Sequence, residues 1–213
     1  MINDVLTTIL DVVQSVDPWL RDLIAGVAIL LETSVLIGLV VPGDTIVIVS
    51  AMGVTGLADG IVLGACVVVG AMTGETLGYL LGRWAGPHLR TSWLGRRIGA
   101  RNWDRAETYL RRRGGIAIFL SRFLPVMHSI VPLTVGMSGY SLKRFLAWTA
   151  PACVLWSGIY IAIAAGAAQS YRELADSAHY AGYVFIAIIA IGLLAIFLGK
   201  KVIEWREKRH MKD

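Results

Sequence analysis

Five stretches of this chain are apolar over lengths that a bilayer must absorb: near 22–56, 60–82, 115–139, 145–168 and 180–199. A helix needs about 20 such residues to cross the hydrocarbon core. Only 16% of the 213 residues are charged and 56% are hydrophobic, against about 25% charged in a soluble domain. The expected fold is an all-α integral membrane protein, a polytopic helical bundle. Its domain plan is an N-terminal interfacial segment (1–21), one membrane domain (22–199) and a basic cytoplasmic tail (200–213). The acidic start of the chain lacks a basic n-region and a small-residue cleavage site, so no cleavable signal peptide is expected.

The net charge is +5, and its placement says more than its size. Nine arginines crowd one connection: Arg83, Arg90, Arg96, Arg97, Arg101, Arg105, Arg111, Arg112 and Arg113. Lys143 and Arg144 follow, then Lys200, Lys201, Arg206, Lys208, Arg209 and Lys212. In a chain this apolar the positive-inside rule accounts for such clusters, and nucleic-acid binding is not expected. Cys66 and Cys153 both lie in apolar blocks. Two such cysteines make neither a disulfide framework nor a zinc set, so no metal or cofactor is expected.

Placing all three basic clusters in the cytoplasm fixes the crossings between them. Blocks 145–168 and 180–199 give two crossings, with 169–179 outside and the C-terminus inside. Between Arg113 and Lys143 there is only one block, 115–139, interrupted by Pro125 and Pro132, each of which removes a helix donor. The consistent solution is a re-entrant hairpin from the cytoplasmic side. Each arm of about ten residues reaches ~15 Å, about half of a ~30 Å hydrocarbon core. Block 22–56 is broken at Pro42-Gly43 and is either a hairpin entered from outside or one span plus a half-helix; the hairpin is preferred. Opposed broken hairpins suggest an inverted repeat with a site at midplane. Two ordinary spans kinked by proline are the alternative.

Residues 5–16 read as an amphipathic interfacial helix. The cytoplasmic connection 83–113 contains an interfacial stretch, 87–113, with Trp93 and Trp103 among the arginines. Gly70, Gly74, Gly78, Gly82 and Gly86 recur every four residues, a spacing that suits close helix packing better than ligand binding.

Ionisable groups at membrane depth cost about 2.5–3.5 kcal/mol each on insertion scales. Glu32 and Asp44 lie in the first broken block, Arg122 and His128 in the second. Asp44, just after the break, suits a helix N-terminus and has a cap as its structural role. Glu32 lies where no cap role is expected and is a candidate proton carrier. Arg122 keeps its charge and offers a planar fork for phosphate oxygens; its structural role would be an ion pair with Glu32 or Asp44. His128 carries an imidazole suited to titration near neutrality, and its structural and functional roles weigh evenly. Glu75, Tyr79 and Arg83 are secondary candidates; Glu75 is either a third intramembrane acid or a structural partner of Arg83, and the structural role is preferred.

Three segments carry a resemblance. E-T-S-V-L-I-G-L-V-V-P-G-D (32–44), G-E-T-L-G-Y-L-L-G-R-W-A-G (74–86) and F-L-S-R-F-L-P-V-M-H-S-I-V-P-L-T-V-G-M-S (119–138) resemble the DedA family of bacterial membrane proteins, also called the VTT or SNARE-associated family, over about 25–168. The resemblance implies two facing re-entrant hairpins and lipid transport across the cytoplasmic membrane. Family members are associated with polyprenyl phosphate recycling, others with phosphatidylethanolamine, with proton or sodium coupling. Its functional acidic pair falls on Glu32 and Asp44, and its first arginine on Arg122. Its second arginine falls on His128, a departure that would make phosphate binding depend on pH or mark another substrate. The usual aspartate before the glycine-tyrosine pair is Glu75 here.

The expected function is a transporter, not an enzyme. Arg122 and His128 would hold the lipid phosphate, and Glu32 and Asp44 would couple H+ or Na+ by competing for Arg122. The hairpin breaks would be Pro42, Gly43, Pro125 and Pro132. The expected partners are the lipid and the coupling ion, with a homo-oligomer left open. Two rivals come from other classes. S-R-x5-H (121–128) also fits one piece of the type 2 phosphatidic acid phosphatases, in which a His is the nucleophile; Pro132 stands where their orienting Asp belongs, and their companion segments are absent. A scaffold would not need four ionisable groups at depth.

Overall fold

A computed structural model describes residues 2–34, 42–93, 96, 99–124 and 127–175, with 187, 190–192 and 194 farther on. Among the described residues every regular element is helical. In chain order these are α1 (Ile2–Ser15), α2 (Pro18–Thr33), α3 (Gly43–Met52), α4 (Leu57–Thr91), α5 (Ala100–Arg113), α6 (Gly115–Ser121), α7 (Met127–Met137) and α8 (Leu142–Ala175). Most of the expected third span, 180–199, together with the tail and Pro125, lies outside the described residues.

Two helices are long and apolar enough to cross a membrane, over Leu57–Ala85 in α4 and Leu142–Tyr171 in α8. At 29 and 30 residues they exceed the ~30 Å core at 1.5 Å per residue. Their outer faces are apolar and bare: Leu57, Ile61, Val62, Val69, Val154 and Leu155 are all exposed. Side chains of this kind are normally buried unless lipid covers them.

The other helices near the site are too short to cross alone. α2 (16 residues) reaches ~24 Å and α3 (10 residues) ~15 Å. The two pack against each other as an antiparallel pair. At one end the Glu32 carboxylate of α2 meets the start of α3, and at the other Arg21 of α2 lies beside Gly53, just past the end of α3. α6 (7 residues) and α7 (11 residues) form a second packed pair around the break at 122–126.

Glycines on α4 let both pairs approach. A Cβ at Gly70 would strike the Gly26 carbonyl of α2, and one at Gly74 would strike Thr33 Oγ1 and the Leu30 carbonyl. Farther along, Gly82 faces the Leu133 backbone of α7, and Gly136 of α7 faces the Tyr79 carbonyl. Small residues permit this backbone proximity. The glycine ladder therefore has a packing role, as its spacing suggests, and it serves two partners in succession. Gly70 and Gly74 hold α2, Gly82 holds α7, and Glu75 lies between these contacts.

Two expectations need correction. Pro132 does not break the second pair; it lies buried inside α7. Its fixed φ suits a helix, and it forfeits only the bond to the carbonyl four residues back, at His128. Trp103 is not an interfacial anchor. It is fully buried with Tyr79, Ile130 and Phe145, because α5 turns its apolar stripe (Trp103, Ala106, Tyr109, Leu110) inward and packs on α7. Trp93 is exposed, as an interfacial residue would be. α1 spans the expected amphipathic segment and touches α3.

Candidate functional site

The tips of the two helix pairs converge on one cluster between α4 and α8. Pro42 precedes α3, and Gly43 opens it. No side chain of its own segment caps α3. Glu32 does so from the neighbouring helix, its Oε2 accepting the Asp44 N–H at 2.6 Å. A carboxylate suits that position because the first N–H groups of a helix lack intrahelical partners. Position 43 must be glycine-small, since a Cβ would lie 2.5 Å from the same oxygen. The sequence assigned the cap to Asp44 and none to Glu32; the fold does the reverse, because the chain doubles back and brings α2 to the start of α3.

Arg122 ends α6 and opens the second break. It is 5% exposed, and its Nη1 lies 3.6 Å from Glu75 Oε1, an ion-pair distance too long for a good hydrogen bond. Its Cζ lies 4.1 Å from the ring centroid of Trp156 on α8, a stacking worth about 2 kcal/mol when water is excluded. Nε and Nη2 are buried with no hydrogen-bond partner among the described residues. These two nitrogens share one edge of the guanidinium, the edge that binds carboxylate or phosphate bidentately. Each unmet buried donor costs about 1–3 kcal/mol. The arrangement can therefore take an anion on a pre-aimed fork.

Glu75 is buried as deeply as Arg122. Its Oε1 also accepts a weak bond from Cys153 Sγ–H at 3.8 Å. Its expected partner, Arg83, is instead exposed at the end of the span and donates to the Tyr79 hydroxyl at 3.2 Å. Eight residues separate Glu75 from Arg83 on one helix, about 12 Å of rise, too far for contact. Tyr79 is structural: its hydroxyl donates to the Tyr140 carbonyl at 2.6 Å and its ring stacks on Phe145 at 5.2 Å.

Glu32 lies within charge-interaction range of both Asp44 and Arg122, and Tyr160 of α8 lies in the field of all three. His128 is half-buried at the start of α7, its Nδ1 3.4 Å from the Leu124 carbonyl.

Thr149, Cys153, Trp156 and Tyr160 carry no signal singly. Their spacing of four, three and four places them on one face of a helix, and that face lines the cluster. A second buried network lies at the other end of α2. Arg21 donates from Nε to Asp22 Oδ1 at 2.9 Å and from Nη2 to Asp59 Oδ1, with Nη1 3.3 Å from Asp59 Oδ2. Asp59 also accepts the Thr55 N–H at 3.0 Å. Both Arg21 and Asp59 flank apolar blocks, which was their only trace in the sequence.

The VTT domain family matches residues 41–166, a range that holds Asp44, Glu75, Arg122, Trp156 and Tyr160. An uncharacterized membrane protein of Mycobacterium leprae is 32% identical over 133 residues, 62% of this chain and 60% of its own length; the aligned part thus leaves over a third of that relative uncovered. Protein DedA of Escherichia coli strain K12 is 23% identical over 223 residues, 94% of each chain. An alkaline phosphatase-like protein of Lactococcus lactis is 26% identical over 157 residues, 71% of this chain and 72% of its own. No solved structure matches the chain. With more than half of its length inside the family domain, which holds the buried Glu75–Arg122 pair, the chain belongs to the VTT-domain, or DedA, family of membrane proteins.

Proposed function

We propose that this protein is a transporter that moves a phosphate-headed lipid, polyprenyl phosphate, across the bacterial cytoplasmic membrane with its C-terminus inside. The observation that carries the reading is the Nε/Nη2 edge of Arg122, buried and without a partner among the described residues. An anion with two oxygens answers both donors at once, and a lipid phosphate brings such an anion to membrane depth. The two short helix pairs enter the bilayer as opposed re-entrant hairpins and meet near its midplane, so that the site opens to either side in turn. Glu32 and Asp44 carry the coupling ion, H+ or Na+, since Glu32 lies in the field of the guanidinium and Asp44 interacts with Glu32. His128 supplies a second contact to the phosphate.

A phosphatase reading draws on S-R-x5-H (121–128) and on the Lactococcus relative's name. It needs an acid to orient His128, and position 132 is a proline inside α7.

The test is a vesicle assay with labelled polyprenyl phosphate and phosphatidylethanolamine, with and without an imposed pH gradient. Gradient-driven movement of polyprenyl phosphate, lost in Arg122→Ala, supports the reading. Movement of phosphatidylethanolamine alone reassigns the substrate, and phosphate release without lipid movement replaces the transporter by an enzyme.

A further inference from the structure

We infer that Glu75 is a fixed counter-ion to Arg122 that weakens the site's grip on phosphate and so sets the rate of release. This rests on the reading of Arg122 as the phosphate ligand and adds a residue that tunes it.

The geometry separates Glu75 from the other two acids. Glu32 is committed to the backbone at the start of α3 by a 2.6 Å bond. Glu75 is buried yet poorly satisfied: an ionised carboxylate offers about four acceptor sites, and its described contacts are a 3.6 Å ion pair and a thiol at 3.8 Å. Thr149 Oγ1 also faces this carboxylate, but without the geometry of a good hydrogen bond. A carboxylate tied this loosely acts mainly through its charge.

Its position fixes what that charge does. Glu75 approaches Nη1, leaving the Nε/Nη2 edge clear, and the Trp156 ring covers one face of the guanidinium. A phosphate therefore docks without displacing Glu75, but beside a negative charge that already neutralises the arginine. In a low-dielectric site like charges repel strongly. An arginine without this neighbour would hold phosphate too tightly for turnover, since binding must also allow departure. Glu75 thus trades affinity for release.

The full-length protein in detergent is titrated by calorimetry with farnesyl monophosphate, inorganic phosphate and farnesol, and the same variants are assayed for polyprenyl phosphate transport in vesicles. Glu75→Gln is expected to bind farnesyl monophosphate about tenfold tighter and to transport more slowly at saturation, so that KM and kcat fall together. Glu75→Asp, whose carboxylate stands farther from the guanidinium, is expected to fall between wild type and Glu75→Gln. A merely structural Glu75 would weaken binding and transport alike in Glu75→Gln, and that result overturns the proposal, as does an unchanged Kd. Should Glu75→Gln fail to fold, an unchanged or weakened Kd in Glu75→Asp overturns it equally. Loss of binding in Arg122→Ala with no effect at position 75 leaves the phosphate site standing and removes only the counter-ion. Wild-type binding in Arg122→Ala removes the site itself. Equal affinity for inorganic phosphate and farnesyl monophosphate assigns the site to free phosphate and overturns the lipid reading.

Discussion

Glu75 and Arg122 meet at 3.6 Å, one from the middle of α4 and the other from the end of α6, and both are almost fully buried. The pair uses one nitrogen of the guanidinium and leaves the opposite edge for a ligand. Around it converge the capped tip of the first helix pair, the break of the second and the Trp156 face of α8. Helices α2, α3, α4, α6 and α8 thus build one charged site inside an apolar bundle.

Arg122→Ala leaves Glu75 buried and unpaired, which is expected to destabilise the protein by about 3–5 kcal/mol. Arg122→Lys keeps the charge but loses the planar fork. It is expected to recover most of that stability in a thermal melt while transport stays at least about tenfold down. Full transport by the lysine variant would show that the fork is not what binds.

Substitutions at Glu32 separate its two roles. Glu32→Gln keeps a side-chain oxygen for the Asp44 N–H and should melt within ~0.5 kcal/mol of wild type, as changes that preserve such features do. Glu32→Ala removes the cap and should cost about 1 kcal/mol. Both should lose gradient-driven transport if the carboxylate carries the coupling ion. Coupled transport by a stable Glu32→Gln would leave Glu32 as a cap alone.

The glycine contacts of α4 should be intolerant of volume. Gly82→Ala places a Cβ against the Leu133 backbone, where no flexible side chain can yield. A loss of about 1–3 kcal/mol is expected from such overpacking. Gly60→Ala, where the nearest atom is a Val54 methyl at 3.5 Å, serves as the control and should melt near wild type.

Arg21 and Asp59 tie the start of α2 to the start of α4. A double-mutant cycle with Arg21→Gln and Asp59→Asn should give a coupling of about 1–3 kcal/mol. A value near zero would mean that Asp22, which also binds Arg21 at 2.8 Å, holds the guanidinium by itself.

Helical class, the two long spans and the break at Pro42-Gly43 were legible because each has a local cause: apolar length, and a residue that cannot continue a helix. The partners of the charges were not. Helix rise alone removes Arg83, eight residues along the same helix from Glu75, but only tertiary packing brings Arg122 to it. The Glu32 cap follows from a chain reversal that no sequence spacing encodes. Pro132 misled because proline forbids a helix bond without always ending the helix. Trp156 was hidden among six other tryptophans, and only the face it shares with Cys153 and Tyr160 marks it out.

The most direct test of the account is a crystal structure of the protein with a short-chain polyprenyl phosphate bound. The account predicts phosphate oxygens within ~2.9 Å of both Nε and Nη2 of Arg122, with Glu75 still beside Nη1 and Trp156 still over the ring. A phosphate bound elsewhere, with that edge of Arg122 still unpartnered, would contradict it.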